Sequence, residues 1–190
     1  MHKHHAFSSC GFIRPVLALA LCAAPFAYSQ TNQSSKFKSD NAVSHADTSF
    51  MKDAAQGGMA EVKLGTLAQQ NAMSDRVKMF GKRMVDDHSK LNMQAQQVAS
   101  QKNITLPTDV SSKQKSDYEM LSKKTGSDFD KAYISMMVKD HQTDIAEFQK
   151  EANSGSDADI KALAAKALPT LQEHLKMAQD IAHDLGVATK

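Results

Sequence analysis

Apolar residues recur at helical spacing in four long stretches of this chain, and each stretch carries one ionisable residue in the middle of its apolar face. In the third, Ile134, Met137, Val138, Ile145 and Phe148 share one stripe at about 100° per residue, with His141 at its centre. The first stripe is Phe50, Ala54, Gly57, Leu64, Gly65 and Ala68, with Glu61 among small residues. The second is Val77, Gly81, Met84, Val85, Leu91 and Ala95 around His88. The fourth is Leu163, Ala167, Leu171, Ala178, Ile181 and Leu185 around His174. The pattern predicts an all-α protein.

Capping residues set the boundaries. Any of Asp47-Thr48-Ser49 can open the first helix, which runs to about Asn71. Ser74 and Asp75 open the second, which ends where Asn103-Ile104-Thr105-Leu106-Pro107 breaks the pattern. A short amphipathic segment, Val110 to Lys124, follows, with Tyr118 and Leu121 as its expected contacts. Ser127-Asp128-Phe129-Asp130 opens the third long helix, and Ser154-Gly155 closes it with a tight turn. Ser156-Asp157-Ala158-Asp159 repeats the same cap and opens the fourth, which ends near Leu185-Gly186. Two tight turns and one long connection predict two helical hairpins. At 1.5 Å per helical residue, the connection can return the length of a four-helix bundle.

The hairpins read as copies, since Phe50 to Glu61 spans the same number of residues as Phe129 to Asp140. The second copy carries three more residues before its last histidine, and Pro169 among them is expected to kink the helix just before His174. Gly57-Gly58 costs roughly 1 kcal/mol per glycine against alanine inside a helix. Close helix approach is the expected reason, with room beside Glu61 as the alternative.

Composition changes the picture at the N-terminus. His2, Lys3, His4, His5 and Arg14 form a basic region, Val16 to Phe26 an apolar one, and Ala27-Tyr28-Ser29 offers the small residues a signal peptidase reads. This predicts a signal peptide over residues 1–29, a polar leader over 30–47 and a helical domain over 48–187. The apolar run is too short and wrongly flanked to span a membrane, and Leu21 before Cys22 argues against a lipid anchor. Cleavage would remove both cysteines, Cys10 and Cys22, so a metal in the mature chain would have to be held by imidazole or carboxylate. It would also lower the basic residues from 23 to 21 against 21 acids, which removes any argument for nucleic acid. Export to the periplasm is the expectation. The mature chain has neither a long apolar span nor barrel-like alternation.

The candidate chemistry is the quartet Glu61, His88, His141 and His174, which the turns place at about one height. Asp87, Asp140 and Glu173 each precede a histidine by one residue, roughly 100° around the helix, where they can orient an imidazole on a neighbouring helix. Three imidazoles and a carboxylate suit one Fe, Mn or Zn ion. Met84 and Met137, each four residues before a histidine, keep copper as a lesser candidate. The alternative is a metal-free network in which Glu61 pairs with the histidines and specifies packing. His45 is expected in solvent, and His183 is expected to cap a helix end or stay in solvent.

The Phe50-x-x-x-Ala54 start, Met84-Val85-Asp86-Asp87-His88, Asp140-His141 and Leu168-Pro169-Thr170-Leu171-Gln172-Glu173-His174 together resemble one exported bacterial family. It is called domain of unknown function 4142, and its members are often labelled as membrane or outer-membrane proteins. The resemblance covers about Thr48 to Val187. It implies a ferritin-like four-helix bundle, two hairpins joined by a long crossover with a short helix, and association with the envelope. It implies no settled activity and leaves oligomeric state open. Di-iron members of the wider fold carry Glu-x-x-His on two helices. Here Val85, Val138 and Leu171 stand three residues before the histidines, which argues against di-iron chemistry. Two function classes follow: a periplasmic metal-binding protein, redox-active in stress defence, or a non-catalytic envelope or interaction protein.

Overall fold

The computed structural model describes residues 43–188. The expected signal peptide and the leader up to residue 42 lie outside the described residues. Five helices follow in order: α1 (His45–Asn71), α2 (Asp75–Gln101), α3 (Ser112–Ser122), α4 (Gly126–Ser154) and α5 (Ala158–Asp184). There is no strand among the described residues, only an isolated bridge between Ala72 and Gly126.

Local chemistry explains most boundaries. The Ser44 hydroxyl accepts the Asp47 N–H at 3.0 Å, so α1 starts before the expected cap and absorbs the end of the leader, with His45 exposed in its first turn. Ser111 and Gln114 form a reciprocal capping box on α3, whose Leu121 is fully buried while Tyr118 is exposed. Asp157 accepts the N–H groups of Asp159 and Ile160 and opens α5 as expected. Helix α5 runs unbroken through Pro169.

Two of the expected caps do something else. The buried Asp47 carboxylate accepts the N–H groups of Ser156 (3.1 Å) and Asp157 (2.8 Å), in the turn between α4 and α5. Asp130 accepts those of Met73 (3.0 Å) and Ser74 (2.8 Å), in the turn between α1 and α2. The first helix of each hairpin therefore caps the turn of the other. Donors and acceptors in the two braces are 83 residues apart in sequence, which sets the internal repeat. In that register Phe50 matches Tyr133 and Glu61 matches Asp144, not the Phe129 and Asp140 expected from spacing.

Helices α1 and α2 pair, as do α4 and α5; α2 meets α5, α1 meets α4, and α3 lies against α1 and α4. Helices α1 and α2 approach closely at Gly65 and Gly81, where a methyl on Gly65 would stand 2.5 Å from the Gly81 carbonyl oxygen. Gly58 is covered by the Asn92 side chain, whereas a methyl on Gly57 would meet nothing within 4 Å. The alternative expectation, open space, thus holds at Gly57. The stripe of α1 is also shifted in its first half: Met51, Ala55 and Gly58 are buried, and Phe50 rests at the rim, edge-on to Phe148.

The core has two parts. Leu64, Phe80, Met84, Tyr133, Met137 and Ala178 belong to the larger, and Met51, Ala95, Ala99 and Ile160 form the smaller. His88 and His174 fall between the two parts along their own helices.

Candidate metal centre

His88, His141 and His174 are buried together, with ring centroids 5.3–5.8 Å apart. The hydrogen bonds assign the nitrogens. His141 Nδ1 is 2.9 Å from the Met137 carbonyl oxygen, one turn back on α4; a carbonyl only accepts, so Nδ1 carries the proton. His174 Nε2 is 3.1 Å from Asp87 Oδ2 on α2. Burial pushes the Asp87 carboxyl up, but hydrogen bonds from Arg83 and His174 outweigh it and hold it at about 2. Asp87 is therefore an anion that accepts from His174 Nε2.

What remains is His141 Nε2 facing His174 Nδ1 at 3.4 Å. Burial pushes all three histidines below the ordinary imidazole range, His141 to about 4, and the neighbouring imidazoles push His88 and His141 further down. At neutral pH both facing nitrogens then present lone pairs. His88 Nε2 is buried with no partner. One ring nitrogen from each of the three histidines lies within 4.8 Å of those of the other two. Two ligands on a tetrahedral ion with metal–nitrogen bonds of about 2.0–2.1 Å are separated by about 3.3–3.4 Å, so the His141–His174 pair has the spacing of one coordination edge.

Glu61 is buried beside this centre but outside the three-histidine group. Its Oε1 is 3.9 Å from His141 Nδ1, the nitrogen already given to Met137, and its Oε2 has no partner. Burial, then the charges of Asp144 and Asp140, raises its carboxyl well above the usual range. The Tyr133 hydroxyl is also buried and unpartnered. A metal-free Glu–His network, had it been complete, would have left neither Glu61 Oε2 nor His88 Nε2 without a bond.

Of the three expected orienting carboxylates, Asp87 touches an imidazole on a neighbouring helix. Glu173 is exposed and pairs with Arg83 at 3.2 Å, while Arg83 also pairs with Asp87. Asp140 lines a cleft of about 520 Å³ between α1, α3 and α4, together with Glu61 and Asp144. Sequence reasoning missed Asp144, whose carboxyl is pushed up to about 7 by burial, Asp140 and Glu147. The correct repeat register, which pairs it with Glu61, was the signal that could have found it.

A family profile matches residues 32–181, a span holding all four long helices up to Ile181 and the whole histidine centre. The chain belongs to that family, Domain of unknown function (DUF4142). No curated protein matches this DUF4142 chain. Among solved structures it is similar to a DUF305 protein from Streptomyces coelicolor, provisionally named as secreted, at 11% identity and a TM-score of 0.66, over 76% of this chain and 95% of that one. A DUF305 fragment from Deinococcus radiodurans matches at the same identity and TM-score, over 76% and 97%. At that identity the likeness shows a shared helical fold and nothing of the chemistry. No described helix is long and apolar enough to cross a membrane.

Proposed function

We propose that this DUF4142 protein is an exported, ferritin-like four-helix bundle of the periplasm that binds one transition-metal ion on His88, His141 and His174. The observation that carries this reading is the pair of facing nitrogens, His141 Nε2 and His174 Nδ1, each freed because its ring partner is committed to Met137 or Asp87. Neutral imidazoles without thiolate suit Zn, Fe or Mn, with copper the lesser candidate. Three protein ligands leave a further position for water or substrate, as in catalytic rather than closed structural sites. Asp87 supplies the nearest anionic charge through His174 Nε2, and Glu61, 3.9 Å from His141 Nδ1, would become a ligand or counter-charge on losing its proton. With Fe or Mn bound, the ion would supply redox chemistry, which fits a role in envelope stress defence. The secreted name of the Streptomyces coelicolor neighbour supports export.

Calorimetric titration of untagged protein with Mn(II), Fe(II), Zn(II) and Cu(II) tests the proposal. It expects one ion per chain for at least one metal, and none after His141→Ala or His174→Ala. Absence of binding by the wild type for all four overturns it. The quartet would then be a non-catalytic, packing-specifying network in an envelope or interaction protein.

A further inference from the structure

We propose that the cleft between α1, α3 and α4 is the loading path by which a hydrated divalent cation reaches the three histidines, with Gly57 and Asp144 at its narrow point. This rests on the metal-binding reading above.

The cleft is wide enough, at about 520 Å³, for an ion with its water shell. Its ionisable lining is Glu61, Asp117, Asp140 and Asp144 against Lys113 and Lys139. Lys113 and Asp117 neutralise each other in an ion pair of 2.6 Å, which leaves three carboxyl groups to one lysine. Acidic residues alone would not make a path. Two unpartnered atoms give it direction. Glu61 lines the cleft with a buried Oε2 that no donor satisfies, and His88 lines a second, smaller pocket with a buried Nε2 in the same condition.

Gly57 and Asp144 line both spaces, so the two pockets adjoin at these residues. The smaller pocket is about 40 Å³, room for a bare ion and a water or two but not for a full hydration shell. An ion passing from the cleft into it must therefore exchange water for protein oxygen at the junction, where the Asp144 carboxyl stands. The open space beside Gly57 has the same explanation. A methyl there would meet no neighbour within 4 Å, so the glycine is not required for helix packing, and a larger side chain would project into free volume. The missing side chain leaves the path open.

Stopped-flow uptake of Co(II), followed by its visible absorption, and release to excess chelator test the path. Gly57→Leu is expected to slow uptake and release together by about tenfold or more, with stoichiometry and affinity unchanged. The paired change Asp140→Asn with Asp144→Asn, which leaves Gly57 in place, is expected to slow uptake about tenfold at low ionic strength, the difference shrinking as salt is added. Circular dichroism confirms that the variants are folded. Wild-type rates in both variants, with one Co(II) still bound, overturn the path and leave the histidine centre standing. No Co(II) bound by the wild type overturns both.

Discussion

His141 Nε2 and His174 Nδ1 confront each other at 3.4 Å, while His141 Nδ1 and His174 Nε2 already donate to Met137 and Asp87. Two neutral acceptors at that distance repel. A cation between them turns the repulsion into two bonds, so the second partners of these rings govern metal affinity.

Asp87 is the partner that can be changed without touching the backbone. Asp87→Asn is expected to weaken metal binding about 10–100-fold, because His174 loses the anion that fixes its proton on Nε2. Asp140→Asn, whose carboxylate touches no imidazole, is expected to leave equilibrium affinity unchanged. Calorimetry on the two variants separates them.

The stability of the metal-free protein should depend on pH through two buried groups of opposite sign. The unfolded His141 takes up a proton near its ordinary value of 6.5, but the folded one only near 4. Stability therefore falls as pH drops from about 6.5 to about 4, by roughly 3 kcal/mol from this ring alone. Glu61 has the opposite sign. Its folded value is raised above the ordinary 4.5, so stability falls as pH climbs from there through the folded value. Urea unfolding of apo protein across this range checks both. His141→Gln should remove the loss as pH drops below about 6.5, and Glu61→Gln the loss as pH climbs above 4.5.

The cross-braces should act as a pair. Asp47→Ala and Asp130→Ala each strip the acceptor from two turn N–H groups and are expected to cost about 1–3 kcal/mol. Denaturant midpoints measure this; a change within error for both would mean that water replaces the carboxylates.

Much of the fold was legible because its signals are local. Period, caps and turns located every described helix, and the apolar stripes picked out Glu61 and the three histidines as buried. What was not legible depends on how helices rotate against each other. Phe50 and Phe129 suggested a repeat that is four residues off, because the aromatic equivalent of Phe50 is Tyr133 and the aspartates that set the register act only between hairpins. The residue before each histidine was an equally indirect guide. Asp87 faces a ring on the adjacent helix, Asp140 faces the cleft, and Glu173 faces solvent and Arg83.

The glycines make a contrast of their own. Gly65→Ala places a methyl against the Gly81 carbonyl and is expected to destabilise by about 1–3 kcal/mol. Gly57→Ala meets open space and is expected to stabilise by up to about 1 kcal/mol, the gain in helix propensity. Thermal melts of the two variants should move in opposite directions.

The most direct test of the metal centre is elemental analysis of the untagged protein, purified without chelator from the compartment where it accumulates. One transition-metal ion per chain is expected, absent from His141→Ala that remains helical. Wild-type protein that carries no metal, and takes up none when offered Mn, Fe, Zn or Cu at neutral pH, would contradict the account.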